Sequence, residues 1–329
     1  MEHLNMEEKK KVLYIGPDYF NYDNYILDEL RKRYKVTYIN SAKLRRKYVF
    51  LYFILWHFRL RKFIDVFNKK YLTYKINHAP SDIDVVFIIK ASNFTTQHVN
   101  LLKKKYPKAS QKVYLWDDYK RIDNKEVIEL FAPYIYSFDP IDCDNFGFIF
   151  RPLFYVSNHL GKKEKDYCVS FIGSNHSDRF EWLLKFKKIC QRKGFSYFIK
   201  IRLTYGMYIK TLFLKSMEYH KDSDLFFTGS IPYKKFIDVT SRSRAVVDFP
   251  FIGQNGLTMR AIETMALGVK LLTTAKSIRL HKDIPSDLYY VIDENFSESD
   301  FVDFLSKDNK ESRLPDRYSL QSFIKDIVG

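Results

Sequence analysis

The residue types best suited to chemistry cluster late in the chain, in QNGLTMRAIETMALGVKLLTT, Gln254 to Thr274. Asn255 and Gly256 break the chain just before a helix whose first turn, Leu257 to Met259, has backbone N–H groups without intrahelical partners. Those groups and the positive end of the helix dipole suit an anion such as a diphosphate. Gly256 lets the backbone approach it closely. Thr258 adds a hydroxyl, and Arg260 can bind oxygens through more than one donor. Glu263 follows one turn after Arg260, among residues apolar enough for a core. On an isolated helix both charges read as solvated. Whether Glu263 is instead a ligand depends on what surrounds it.

Other candidates stand at the ends of apolar runs. FIGSNHSDR turns at Gly173 and Ser174, offers Ser177 and Asp178 as helix caps and ends on Arg179. FSYFIKIRL puts Lys200 and Arg202 on one side of a strand, near its carboxyl end. In the first half, Asp18 follows a strand within Gly16-Pro17-Asp18-Tyr19, and KVYLWDD ends on Asp117 and Asp118. A carboxylate within hydrogen-bond reach of a hydroxyl can take its proton. A strand-end aspartate can equally cap the next helix. Asp139, Asp142 and Asp144 lack the glycine and terminal glutamate of a calcium loop and read as turn and cap residues.

The elements that must position these residues alternate from end to end. KVLYIG, KVTYIN, DVVFIIK, KVYLWDD, YIYSFD and FGFIFRPLF read as strands, with helices over Asn24–Tyr34 and Thr96–Tyr106. The polar VSNHLGKKEKD, Val156 to Asp166, reads as a linker. Alternation then restarts with strands YCVSFIGS, FSYFIKIRL, DLFFTGSI, AVVDFPF, KLLTT and YYVI, and helices over Ser177–Lys193, Tyr205–His220 and PYKKFIDVTSRS. Continuous apolar runs suit strands covered on both faces, and the alternation predicts parallel sheets with helices on each side. The expected fold is therefore α/β: two doubly wound, Rossmann-like domains facing a central cleft. The expected boundaries are 1–155, a linker at 156–166, a second domain at 167–312, and a final helix at 313–329 able to pack back on the first domain. Such sheets bind ligands at the carboxyl ends of their strands.

Composition narrows the partners. The chain has 329 residues and a formal charge of +16, from 55 Lys and Arg against 39 Asp and Glu. That balance favours nucleic acid, an anionic membrane surface or phosphorylated substrates. Three scattered cysteines, Cys143, Cys168 and Cys190, form no close-spaced metal pattern and argue against a disulfide framework. The N-terminal MEHLNMEEKKK lacks the apolar segment of a signal peptide. The longest apolar run, YVFLYFILW, is about half of the roughly 20 residues that a membrane-spanning helix needs. Arg45, Arg46 and Lys47 precede that run and Arg59, Arg61 and Lys62 follow it, which suits either a core helix with snorkelling ends or a segment, 43–70, on anionic lipid. Most aromatics fall in strand and core positions and no nucleic-acid motif is present, so a nucleic-acid partner is not expected.

From Leu225 to Thr274 the order of strand, Thr-Gly-Ser-Ile turn, helix, AVVDFPF, QNGLTMRAIETMALG and KLLTT resembles the donor-binding half of GT-B glycosyltransferases. ETMALGVKLLTT is similar to the E-A-x-A-x-G-x-P-x-x-x-T segment of that superfamily. YLWDD, SFDPIDCDNFGF and the FIGS turn resemble bacterial capsule and lipopolysaccharide transferases within it.

The resemblance implies a hexosyltransferase-type enzyme that moves a sugar from a nucleotide-diphosphate sugar to a glycan acceptor, lipid-linked, in cell-surface polysaccharide assembly. It implies work in the cytoplasm, peripheral on the inner membrane face if 43–70 meets lipid, and no cofactor or bound metal. Donor contacts would come from Gly173, Arg179, Lys200, Arg202, Asn255, Gly256, Leu257, Thr258 and Arg260. The turn at Gly229, Ser230 and Ile231 would hold the nucleobase through backbone groups, and Glu263 would accept from the ribose hydroxyls. An inverting member needs a base, for which Asp18 and Asp118 are the candidates. Retaining members carry two glutamates eight positions apart; eight before Glu263 stands Asn255, so the stereochemical outcome stays open. A two-domain nucleotide-sugar epimerase would share this layout, and a nucleic-acid-binding protein would share the charge.

Overall fold

The computed structural model describes residues 9–18, 21–41, 61–156, 163–175, 179–207, 222–307 and 312–329. The chain divides into two compact units, Met1–Pro152 with Leu320–Gly329, and Leu153–Ser319. Ser177 and Asp178, most of the helix expected over Tyr205–His220, residues 157–162 of the expected linker and residues 43–60 of the basic-aromatic stretch lie outside the described residues.

The first unit runs β1 (Lys11–Gly16), α1 (Tyr22–Arg33), β2 (Lys35–Asn40), α2 (Arg61–Asn77), β3 (Val85–Ile89), α3 (Thr96–Lys105), β4 (Ser110–Leu115), α4 (Lys125–Glu129), β5 (Ile135–Ser137), α5 (Pro140–Phe146) and β6 (Ile149–Phe150). Its sheet has the order β2-β1-β3-β4-β5-β6, with every neighbouring pair parallel. Burial explains the apolar runs: all five residues of VVFII in β3 are buried, whereas β2 at the sheet edge alternates polar and apolar and stays partly exposed. The expected strand FGFIFRPLF shrinks to Ile149–Phe150. Pro152 there lacks the N–H that a further rung would need.

The second unit runs β7 (Tyr167–Ser174), α6 (Arg179–Lys193), β8 (Tyr197–Arg202), β9 (Phe226–Phe227), α7 (Tyr233–Ser241), β10 (Ser243–Asp248), α8 (Met259–Ala266), β11 (Lys270–Thr273), β12 (Tyr289–Val291) and α9 (Glu298–Ser306). Its sheet, β12-β11-β10-β7-β8-β9, is again parallel throughout. Numbered within the unit this is the Rossmann order 3-2-1-4-5-6 read from the other edge. Its core joins Val169 and Phe171 of β7, Leu183 and Phe186 of α6, and Val247 of β10. The last helix, α10 (Leu320–Val328), belongs to the first unit. Phe323 is fully buried there, 4.8 Å from the Tyr114 ring centroid and 6.4 Å from that of Phe87. Asp326 pairs with Arg151 at 2.9 Å.

Two parallel doubly wound sheets are what the sequence predicts. In such a sheet the crevice opens where strand order reverses, at the carboxyl ends. That point falls between β1 and β3 in the first unit and between β7 and β10 in the second. Among the described residues no helix is long and apolar enough to cross a membrane.

Candidate functional site

The second unit's switch point is built around Asp248, the last residue of β10 and 1% exposed. Its Oδ1 accepts from Arg260 Nη1 at 3.1 Å and its Oδ2 from the Thr258 hydroxyl at 2.9 Å. Arg260 Nη2 donates to the carbonyl of Ile172 at 2.8 Å, which ties α8 to β7 across the reversal. The guanidinium also lies 5.3 Å from the Phe171 ring centroid and 5.8 Å from that of Phe236. A side chain at Gly173 would put its Cβ 2.7 Å from Phe171 and 3.2 Å from Arg260 Nη2, so glycine there permits the approach.

The helix begins later than the sequence suggests. Thr258 is its N-cap, in extended geometry, and its Oγ1 accepts from Ala261 N at 3.0 Å. The Thr258 hydroxyl is thus both donor and acceptor within the protein. The start of α8 is fixed by residues on β10, and Leu257 before it is buried. Asn255 Nδ2 reaches the Gly253 carbonyl at 3.4 Å, and Gln254 Nε2 the Gly256 carbonyl at 2.8 Å.

Glu263 is 3% exposed and is no solvated helix charge. Its Oε1 accepts from the Tyr233 hydroxyl at the start of α7. Tyr233 and Phe236 have ring centroids 6.4 Å apart, so α7 presents an aromatic edge to the carboxylate and the guanidinium of α8.

The remaining expected contacts fall in different settings. Arg179 is buried, with Nη1 donating to the Ser174 carbonyl at 2.9 Å and Nη2 to the carbonyl of Phe249. In this structure it clamps the ends of β7 and β10. It also lines a pocket of about 480 Å³ with Phe249, Gln254, Asn255, Lys276 and Ser277. Lys200 Nζ donates to the carbonyl of Asp224 at 2.5 Å, while Arg202 is exposed at the end of β8. Gly229, at φ 95°, needs its missing side chain; Ser230 is exposed and Ile231 half-buried.

The first unit's switch point carries a second set. Asp18 beyond β1 and Lys90 beyond β3 both hold left-handed backbone, at φ 57° and 53°, which is strained for side chains other than glycine. Asp18 accepts from Asn40 Nδ2 at 3.2 Å, and Lys90 pairs with Asp117 at 2.5 Å. Asp118 is 5% exposed and its Oδ1 is buried with no hydrogen-bond partner among the described residues. Burial first, then the charge of Asp139, pushes its pKa up to about 6 against the pull of Arg121. Asp139 caps α5 through Ile141 N at 2.9 Å, and Asp142 within α5 accepts from Tyr119 N at 2.7 Å, so the first is a helix cap and the second ties the turn after β4 to α5. Among the described residues no group of three or more His, Cys, Asp or Glu converges on a metal position.

Sequence reasoning passed over Asp248, Tyr233 as the partner of Glu263, and Lys90. Asp248 and Lys90 share one signal: a charged residue ending an apolar run, in AVVD and DVVFIIK.

No family model and no curated protein matches the chain. Solved structures resemble it in fold. HepE (Alr3699) of Anabaena, in complex with UDP and glucose, aligns over 97% of this chain and 98% of its own, with a TM-score of 0.54 and 9% identity. The lipopolysaccharide outer core galactosyltransferase WaaB, in its apo form, aligns over 96% and 95%, with a TM-score of 0.46 and 14% identity. A UDP-N-acetylglucosamine 2-epimerase aligns over 96% and 90%, with a TM-score of 0.47 and 12% identity. The HepE likeness supports a GT-B-like two-domain fold for this chain, and at that identity it speaks for the fold alone.

Proposed function

We propose that this chain is a glycosyltransferase that moves a sugar from a nucleoside diphosphate sugar to a glycan acceptor. The observation that carries this is Glu263, a buried carboxylate on α8, one turn after an arginine and a cap both held by Asp248 at the switch point. A carboxylate kept from water beside a helix start is suited to hydroxyl donors, and the helix start to phosphates. UDP, present in the HepE complex, is the first nucleotide to test.

In the reaction the acceptor hydroxyl oxygen bonds to the anomeric carbon and the bond from that carbon to the diphosphate oxygen breaks. The diphosphate leaves with the electron pair, stabilised by the start of α8. The hydroxyl proton goes to a base. Asp118, pushed up to about 6, is well matched to that task near neutral pH. Asp18 is the alternative, held by Asn40. The resemblance of YLWDD and the FIGS turn to capsule and lipopolysaccharide transferases supports a lipid-linked, cell-surface glycan as acceptor and reaction on the cytoplasmic side.

The test is calorimetric titration with UDP, GDP, CMP and ADP, repeated on Glu263→Gln, followed by incubation with the matching sugar nucleotide. One nucleotide should bind, and Glu263→Gln should weaken it about tenfold, about 1.4 kcal/mol. Unchanged affinity in the variant removes Glu263 from the site. An epimerised sugar nucleotide formed without any acceptor replaces transfer by epimerisation.

A further inference from the structure

Helix α2 has two apolar faces. One packs inward through Ile64, Leu72 and Ile76, all buried. The other carries Phe63, Val66, Phe67 and Tyr74, which are 65%, 50%, 45% and 56% exposed. At about 100° per residue, positions 63, 66, 67, 70 and 74 fall on one stripe, opposite to 64, 68, 72 and 76. From Phe63 to Tyr74 the stripe is about 16 Å long.

The outer face is held outward. Lys105 Nζ of α3 donates to the carbonyls of Ile76, Asn77 and Ala79 at 2.8, 2.7 and 2.6 Å, which fastens the C-terminal end of α2. Buried His98 of α3 accepts from Thr95 N through Nδ1 at 3.0 Å, so its Nε2 faces Thr73 Oγ1 and the Lys69 carbonyl, each at 3.0 Å. Turning the exposed stripe inward would break these bonds and expose Leu72 and Ile76.

We propose that this face docks the protein on an anionic lipid bilayer. Charge selects the partner. The helix sequence has five cations, Arg61, Lys62, Lys69, Lys70 and Lys75, against the single acid Asp65. Lys70 lies within the stripe and is exposed, and Lys69 beside it is exposed too. Aromatic side chains interleaved with lysines seat at the boundary between headgroups and acyl chains, with the cations on lipid phosphates. A second copy is the poorer partner, because a twofold contact sets each patch against itself and brings the lysines together. The sequence before α2, with Arg45, Arg46, Lys47 and Arg59 around YVFLYFILW, continues the same character. The inference rests on α2 and stands or falls separately from the transferase reading.

Sedimentation of the full chain with vesicles tests it. The protein should pellet with phosphatidylcholine vesicles containing phosphatidylglycerol, less with phosphatidylcholine alone, and less as salt rises. The double variant Phe63→Ser, Phe67→Ser should lose about tenfold in partitioning with unchanged circular dichroism and Tm, since both rings are exposed. Lys69→Glu, Lys70→Glu provides a second probe and should lose the preference for phosphatidylglycerol. Wild-type partitioning in both variants would overturn the proposal. So would equal binding to both vesicle types, or a dimer in ultracentrifugation that the serine variant abolishes while no vesicle is bound.

Discussion

The carboxyl edges of the two sheets share a topology and differ in how their charges are settled. At the β7/β10 edge the charges meet partners on neighbouring elements: Arg260 meets Asp248 and the Ile172 carbonyl, Glu263 the Tyr233 hydroxyl, and Arg179 two carbonyls, although the buried Nε of Arg260 has no acceptor among the described residues. The first unit's edge differs in its backbone and in one raised carboxyl. Asp18 beyond β1 and Lys90 beyond β3 sit in strained left-handed backbone, and Asp118 beyond the neighbouring β4 keeps a buried oxygen without a partner among the described residues and a pKa pushed up to about 6. A pre-paired edge costs little to reorganise and suits binding; a strained edge with a raised carboxyl suits proton transfer. Substitutions that unpair the first edge or relieve the second test that contrast.

The largest effect is expected at Asp248. Asp248→Ala leaves the Arg260 guanidinium, whose side chain is only 20% exposed, without its counter-charge, and removes the acceptor of the Thr258 hydroxyl. Losing one partner of a buried pair costs about 3 kcal/mol or more. Urea denaturation should show a loss of that size, with Asp248→Asn recovering part of it through the Thr258 bond. A loss below about 1 kcal/mol would mean that the pairing at this edge holds nothing together.

Asp118→Asn should act in the opposite direction. Burial holds the folded pKa at about 6, above the ordinary aspartate value of 3.8, so this group contributes stability that is fully present below about pH 4 and is lost as pH rises through about 6. Above pH 6 the ionised form is a liability of about 2–3 kcal/mol, from roughly two pKa units. Asparagine does not ionise. The variant should therefore be more stable than the parent at pH 8 and closer to it at pH 4, with a flatter stability profile between. If Asp118 is the base, transfer should fall about 100-fold or more while nucleotide affinity holds. A variant that is destabilised at pH 8 would show that the carboxylate is satisfied and the edge is not strained there.

The contrast also explains what was legible. Apolar runs such as VVFII and the alternation of elements predict both parallel sheets, because burial on two faces leaves a continuous signature in sequence. The segment around α8 was visible through its glycine, arginine and glutamate. What stayed hidden was the pairing. Thr258 reads as a free hydroxyl until β10 places Asp248 beside it, and Glu263 reads as solvated until α7 brings Tyr233 to it. These partners are 10 and 30 residues away in sequence, and they meet only where the loop after β10 folds α8 back on the strand and α7 packs beside it. The short strands β6 and β9 were overestimated for a related reason: Phe-rich runs such as FGFIF and LFF look like full strands, although each forms only two residues of ladder at a sheet edge.

The smallest effect is expected at Tyr233. Tyr233→Phe keeps the ring beside Phe236 and removes only the hydroxyl that donates to Glu263. A single hydrogen bond to a carboxylate contributes about 1–3 kcal/mol, and the low end applies where the tyrosine is only half-buried. The loss in denaturation should therefore be about 1 kcal/mol. Nucleotide affinity separates two meanings of the pair. If the hydroxyl serves only to hold the carboxylate until a ligand hydroxyl replaces it, affinity should stay within about threefold or rise, because less must be displaced. If affinity falls about tenfold, Tyr233 remains bonded to Glu263 in the complex and the two act as one ligand-facing unit. Combining Tyr233→Phe with Glu263→Gln completes a double-mutant cycle, and a coupling near zero would show that the contact between α7 and α8 is incidental to binding.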